Sequence, residues 1–179
     1  MKNFKSTEWL RENIDREDLV VLDARAELSD DKAGYEQYKA GHIKGAHYVS
    51  LEDVLTGEIR EHGGRHPLPD LDDFIQNMMS IGVEDSSTVI IYDNGDLAMA
   101  GRLWWLLKYI GLDQVYILEG GYRAWVDSNN EVTKVLPKRV EASKLSLNIQ
   151  DHMLAEIDEV KEAKDNKDIA IIDSRAFER

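Results

Sequence analysis

Thr88-Val89-Ile90-Ile91-Tyr92 is the stretch on which the fold turns. Four β-branched residues and an aromatic one follow each other with none of the polar alternation that a half-exposed strand would show. This composition predicts a strand covered on both faces, as in the middle of a parallel sheet. Working outward, Asp70 follows Pro69 as a helix N-cap, and Phe74, Ile75, Met78 and Ile81 share one face of a helix that Gly82 ends. On the other side, Leu103, Leu106, Leu107 and Ile110 form a stripe on a helix from about Ala98 to Ile110, stopped by Gly111. Val115 to Leu118 then predicts a short strand, and Gly120-Gly121 opens a helix through Trp125 that fades at Asp127 to Asn130.

The N-terminal third repeats this rhythm. Ser6 or Thr7 caps a short helix carrying Trp9, Leu10 and Ile14; Leu19 to Leu22 is a strand ending at Asp23. Tyr35 and Tyr38 suit a helix stopped by Gly41, and Ala46 to Val49 suits a brief strand. Strands and helices alternating at such short spacing imply an α/β fold, a parallel sheet with helices on both faces.

A heptapeptide recurs. Leu19-Val20-Val21-Leu22-Asp23-Ala24-Arg25 returns as Ile169-Ala170-Ile171-Ile172-Asp173-Ser174-Arg175, 150 residues later. The expected organisation is a complete domain over 1–130, a linker over 131–150 with little periodicity, and the opening of a second domain over 151–179. In that last segment Ile157 and Val160 suit a helix, and Ile169 begins a strand. One helix and one strand bury too little to be stable alone, so the segment is expected to dock on the first domain or on a second copy, strand exchange between two molecules being one such arrangement.

Composition narrows the functional classes. A formal net charge of −13 over 179 residues makes nucleic acid and anionic membrane surfaces poor partners. Neither a signal peptide nor a spanning segment is evident, and the expected location is cytoplasmic. Zero cysteines exclude disulfides, thiolate zinc sites and any chemistry that needs a thiolate nucleophile. His62 and His66 have helical i, i+4 spacing, but Gly63, Gly64 and Pro67 oppose a helix there, so no metal or other cofactor is expected.

Several ordered motifs resemble the rhodanese family of sulfurtransferases: Leu22-Asp23-Ala24-Arg25, Gly41-His42-Ile43-Lys44-Gly45-Ala46, Val89-Ile90-Ile91-Tyr92-Asp93 and Leu118-Glu119-Gly120-Gly121-Tyr122-Arg123-Ala124-Trp125. Arg102-Leu103-Trp104-Trp105 and His66-Pro67-Leu68-Pro69 lie between them, and the resemblance covers about residues 5 to 130. It implies a three-layer rhodanese-like domain, and the internal repeat looks like the tandem branch that includes thiosulfate and 3-mercaptopyruvate sulfurtransferases. The family carries sulfur as a persulfide on one cysteine after the central strand, in a loop whose inward-facing N–H groups stabilise the anion. The matching position here is Asp93, so the loop Asp93-Asn94-Gly95-Asp96 is marked as vestigial, its carboxylate accepting the bonds that a thiolate would take, with Asp96 capping the next helix.

The resemblance casts Asp23, Arg25, His42, Gly45, Gly120 and Gly121 as scaffold residues: Asp23 and Arg25 tie loops together, His42 bonds backbone carbonyls, and Gly120-Gly121 permits a tight turn rather than a phosphate loop. Lys44 departs from the family's usual proline. Trp104, Trp105 and Tyr109 leave two possibilities, a helix buried nearly all round or an aromatic patch offered to another domain.

The expected function is that of the non-catalytic N-terminal half of a tandem sulfurtransferase, inactive alone, its partner being the missing second domain in cis or a second copy. Small sulfur donors would bind only through that missing domain, with its cysteine near position 243. The alternative is a cysteine-free rhodanese module with a regulatory or protein-binding role.

Overall fold

Both faces of the Thr88–Tyr92 strand are buried, and the residues alternate between two cores. Val89 and Ile91 point into one; Ile90 and Tyr92 point into the other. The structure, a computed structural model, describes residues 2–61, 64–138 and 140–173. In chain order the first part runs β1 (Phe4–Lys5), α1 (Thr7–Asn13), β2 (Leu19–Asp23), α2 (Ala33–Ala40), β3 (His42–Ile43), β4 (His47–Tyr48), α3 (Leu71–Met79) and β5 (Thr88–Tyr92). It continues with α4 (Ala98–Tyr109), β6 (Val115–Leu118), α5 (Gly121–Asp127) and β7 (Val132–Thr133).

The main sheet has the order β1-β6-β5-β2-β4, every pair parallel. Helices α3 and α4 cover one face through Phe74, Ile75, Met78, Leu103, Leu106 and Leu107; α1 and α5 cover the other through Leu10 and Trp125. This is the expected α/β fold with helices on both faces. The caps also stand as read: Ser6 accepts from the N–H of Trp9, and Asp70 accepts from those of Asp72 and Asp73.

Three features depart from the sequence reading. First, β1 extends the sheet beyond β6, and β3 pairs antiparallel with β7. Second, residues 131–149 are no free linker. Leu145 is buried in the core beside α3 and α4, the Asn148 N–H donates to the Ile110 carbonyl, and Ser146 bonds the Asp85 carboxylate through both its N–H and its hydroxyl. The first compact unit therefore ends at Ile149.

Third, the unit that begins at Gln150 holds a 3₁₀ turn (Asp151–Met153) and α6 (Ile157–Ala163), the expected helix, but no strand at Ile169 among its described residues. Ile169, Ile171 and Ile172 are exposed. In the first unit the matching β2 is a strand because β4 and β5 flank it, and the second unit supplies no such neighbour among its described residues. Ser174 and Arg175 of the repeat, and His62 and Gly63, lie outside the described residues. Among the described residues no helix is long and apolar enough to cross a membrane.

Candidate functional site

The chain leaves the C-terminal end of β5 at Asp93, a carboxylate only 2% exposed. It is held by three backbone N–H groups. Oδ1 accepts from Gly95 at 2.8 Å and Leu97 at 3.4 Å, and Oδ2 accepts from Ala100, in the first turn of α4, at 3.1 Å. Asp96 accepts from the Ala98 N–H at 3.1 Å at the entry to α4, but the N-cap position itself is Leu97, not Asp96. The negative charge sits where the dipole of α4 favours it.

The loop is pressed against the turn before α5. The Tyr122 N–H donates to the Asp93 carbonyl at 2.8 Å, and a Cβ added at Gly121 would stand 2.5 Å from the same oxygen. A Cβ at Gly95 would stand 2.7 Å from the Gly120 carbonyl oxygen. Gly120 and Gly121 have φ of 71° and 61°, so the turn needs glycine for conformation as well as space. Asn94 reaches sideways to Gln37 of α2 at 3.1 Å.

Asp23 and Arg25 form a buried pair beneath this loop. The guanidinium donates to both carboxylate oxygens, through Nε at 3.0 Å to each and through an Nη at 2.6 Å, and the same Nη reaches the Gly41 carbonyl at 2.8 Å. The Tyr92 hydroxyl donates to Asp23 at 2.7 Å and accepts from the Ile43 N–H at 3.3 Å, while Arg25 lies 3.9 Å from the Tyr122 ring centre. Burial, with Asp23 adding to it, pushes the Tyr92 phenol well above its ordinary range. Each charge here is committed to a neighbour, and the contacts tie the ends of β2, β3 and β5 together as a strut.

His42 lies between two backbone carbonyls, Nδ1 2.9 Å from Tyr38 O and Nε2 3.2 Å from Val135 O, and the ring nitrogen that carries the hydrogen donates to its carbonyl. Gly45 takes φ of 76° in the turn before β4, and Lys44 reaches Asp15 at 2.6 Å across the surface. Of Trp104, Trp105 and Tyr109 only the last is buried, and the two indoles are partly buried against the core. The Trp104 indole donates to the Val115 carbonyl at 3.1 Å, Tyr109 is buried, and half-buried Trp105 stacks on it with ring centres 4.8 Å apart.

One residue carries more than its motif suggested. Arg102, in the middle of the mostly apolar α4, donates to the carbonyls of Leu55, His66 and Pro67, so one guanidinium holds the long connection between β4 and α3. Burial without a carboxylate partner lowers its pKa. An arginine in the middle of a mostly apolar helix, away from its basic last turn, is the signal that could have marked it. Among the described residues no cluster of three or more acidic or imidazole groups could hold a metal ion.

The site is thus an anion cradle after the central strand, filled by the chain's own carboxylate. The Rhodanese-like domain model matches residues 6–128, a span that includes the cradle, the Asp23–Arg25 strut and the glycine turn. The chain belongs to the rhodanese family. A Pseudomonas aeruginosa protein described as "Probable 3-mercaptopyruvate sulfurtransferase" is 40% identical over 122 residues, covering 67% of this chain and 43% of its own length. The 3-mercaptopyruvate sulfurtransferase of Escherichia coli K12 is 33% identical over 126 residues, covering 68% of this chain and 43% of its own length. The crystal structure of SseA from Escherichia coli, a 3-mercaptopyruvate sulfotransferase with the rhodanese fold, superposes with a TM-score of 0.83 at 27% identity, covering 93% of this chain and 63% of that one. This rhodanese chain spans about half the length of the curated relatives it matches.

Proposed function

We propose that this chain is the non-catalytic N-terminal half of a rhodanese-type sulfurtransferase, which moves sulfane sulfur from thiosulfate or 3-mercaptopyruvate to a thiophilic acceptor. The persulfide cysteine would belong to a second rhodanese domain in the same polypeptide, of which 151–179 are the opening. That domain would bind the donor, and this one would support it.

The observation that carries this reading is the Asp93 carboxylate seated on the N–H groups of Gly95, Leu97 and Ala100. Persulfide chemistry needs a thiolate there. The thiolate attacks the sulfane sulfur, a new S–S bond forms as the donor's bond breaks, and the donor remainder leaves with the electron pair, as sulfite when the donor is thiosulfate. The acceptor then takes the terminal sulfur and the thiolate returns. A carboxylate cannot hold sulfur in this way, and its charge repels an anionic donor. The bonds it makes instead keep the loop closed and the start of α4 fixed, which is structural work.

Incubating the 179-residue chain with thiosulfate and cyanide should produce no thiocyanate, and its intact mass should not change. The protein from its native source should be heavier and contain a reactive thiol that gains the mass of one sulfur atom from thiosulfate. Robust thiocyanate production by the cysteine-free chain would overturn the proposal.

A further inference from the structure

Away from the Asp93 loop, α2, α3 and the segment after β4 enclose a cleft of about 630 Å³. That is the size of a small-molecule site, and none of its lining residues belongs to the cradle or to the Asp23–Arg25 strut. Its walls combine two kinds of surface. One is apolar, with Val49 and Met78 buried, and aromatic, with the Tyr35 and Tyr48 rings 5.3 Å apart and tilted by 53°. Gly34 makes room for this arrangement, because a Cβ there would stand 2.7 Å from the Tyr48 hydroxyl. The other surface is charged: four carboxylates, Asp31, Glu36, Glu52 and Asp53, line it with two lysines, Lys32 and Lys39, and His66 stands 3.9 Å from Glu52.

We propose that this cleft binds a small organic cation with an apolar body, its ammonium group over the Tyr35 ring and near the carboxylates. The cleft already holds such a contact: the Lys39 ammonium lies 5.0 Å from the Tyr35 ring centre while paired with Glu36 at 2.7 Å. A bound ammonium would take the place of this flexible, exposed side chain and gain both the aromatic face and the carboxylate. The excess of carboxylates disfavours an anion. A metal ion is disfavoured because, among the described residues, no three acidic or imidazole groups converge to ligate one. This site does not depend on sulfur chemistry and is separate from the function proposed above.

The test uses the whole 179-residue chain and benzyltrimethylammonium as probe, with benzoate at equal ionic strength as the anionic control, read by NMR titration. Saturable shifts centred on Tyr35, Tyr48 and Glu52 are expected with the cation, with an affinity in roughly the millimolar range for so small a ligand, and none with benzoate. Tyr35→Leu keeps the apolar area but removes the ring, and should weaken binding about fivefold. Lys39→Met removes the internal competitor and should strengthen it. Both side chains are exposed, so neither variant threatens the fold. No saturable binding, equal binding of benzoate, shifts centred elsewhere, or an unchanged affinity in Tyr35→Leu would each overturn the proposal.

Discussion

Asp93 holds its own loop together through its side chain, the carboxylate accepting from three backbone N–H groups. Replacing it with alanine would leave the N–H groups of Gly95, Leu97 and Ala100 without their acceptor, at a cost of about 1–3 kcal/mol, while Asp93→Asn keeps one acceptor oxygen and should cost less. Urea unfolding of the two variants checks the order. Tyr38 and Tyr48 add a pH dependence: burial, with Asp23 adding to it, pushes both phenols up to about 12. In the unfolded chain a phenol ionises near 10, so the unfolded state loses its protons first. The contribution is fully present below about pH 10 and is lost as pH rises through about 12. The urea midpoint should fall over that window, and less steeply in Tyr48→Phe, whose ring cannot ionise. The Asp93, Asp23, Arg25 and His42 contacts were legible in the sequence because each lies in a short motif. The role of Arg102 was not, because its acceptors are carbonyls of a long connection, and a carbonyl leaves no trace in residue identity.

Among the elements, the Asp93 loop and the start of α5 behave as a single piece. Gly121→Ala would place a methyl 2.5 Å from the Asp93 carbonyl oxygen in a backbone that is already left-handed, and should cost at least about 1–2 kcal/mol in a thermal or urea melt. Leu97 presents the opposite case. It has φ of 68° at the N-cap of α4 and no side-chain cap bond, so Leu97→Gly should stabilise the chain, by up to about 1 kcal/mol, because the left-handed conformation costs glycine nothing. The long elements could be read in advance because each carries a full pattern: five buried β-branched or aromatic residues for β5, and a four-residue apolar stripe for α4 that ends at its C-cap Ile110. Strands β1, β3 and β7 have two residues each and therefore no period at all. The Ile169 stretch failed for the converse reason. Its composition is that of a strand, but strandedness is a property of pairs, and its counterpart β2 is held by two neighbours in register.

At the scale of the whole chain, the first compact unit extends to Ile149 and takes in the stretch read as a linker, and the difference can be measured. Truncation after Asn130 removes buried Leu145, the Asn148 bond to Ile110, both Ser146 bonds to Asp85 and the β7 partner of β3. It also exposes the apolar surface that Leu145 covers, by itself worth about 1.5–3 kcal/mol, and leaves the Val135 contact of His42 unmade. Truncation after Ile149 removes none of these. Residues beyond it contribute no buried hydrophobic side chain among those described, with Ile157 69% and Ile172 85% exposed. A chain ending at Ile149 should therefore unfold at the same urea concentration as the full chain by near-ultraviolet dichroism, whereas one ending at Asn130 should unfold well below it or fail to fold. In hydrogen exchange the amides of α6 should exchange far faster than those of β5. Equal protection in the two would mean that the second unit is stabilised by contacts as strong as those of the first core.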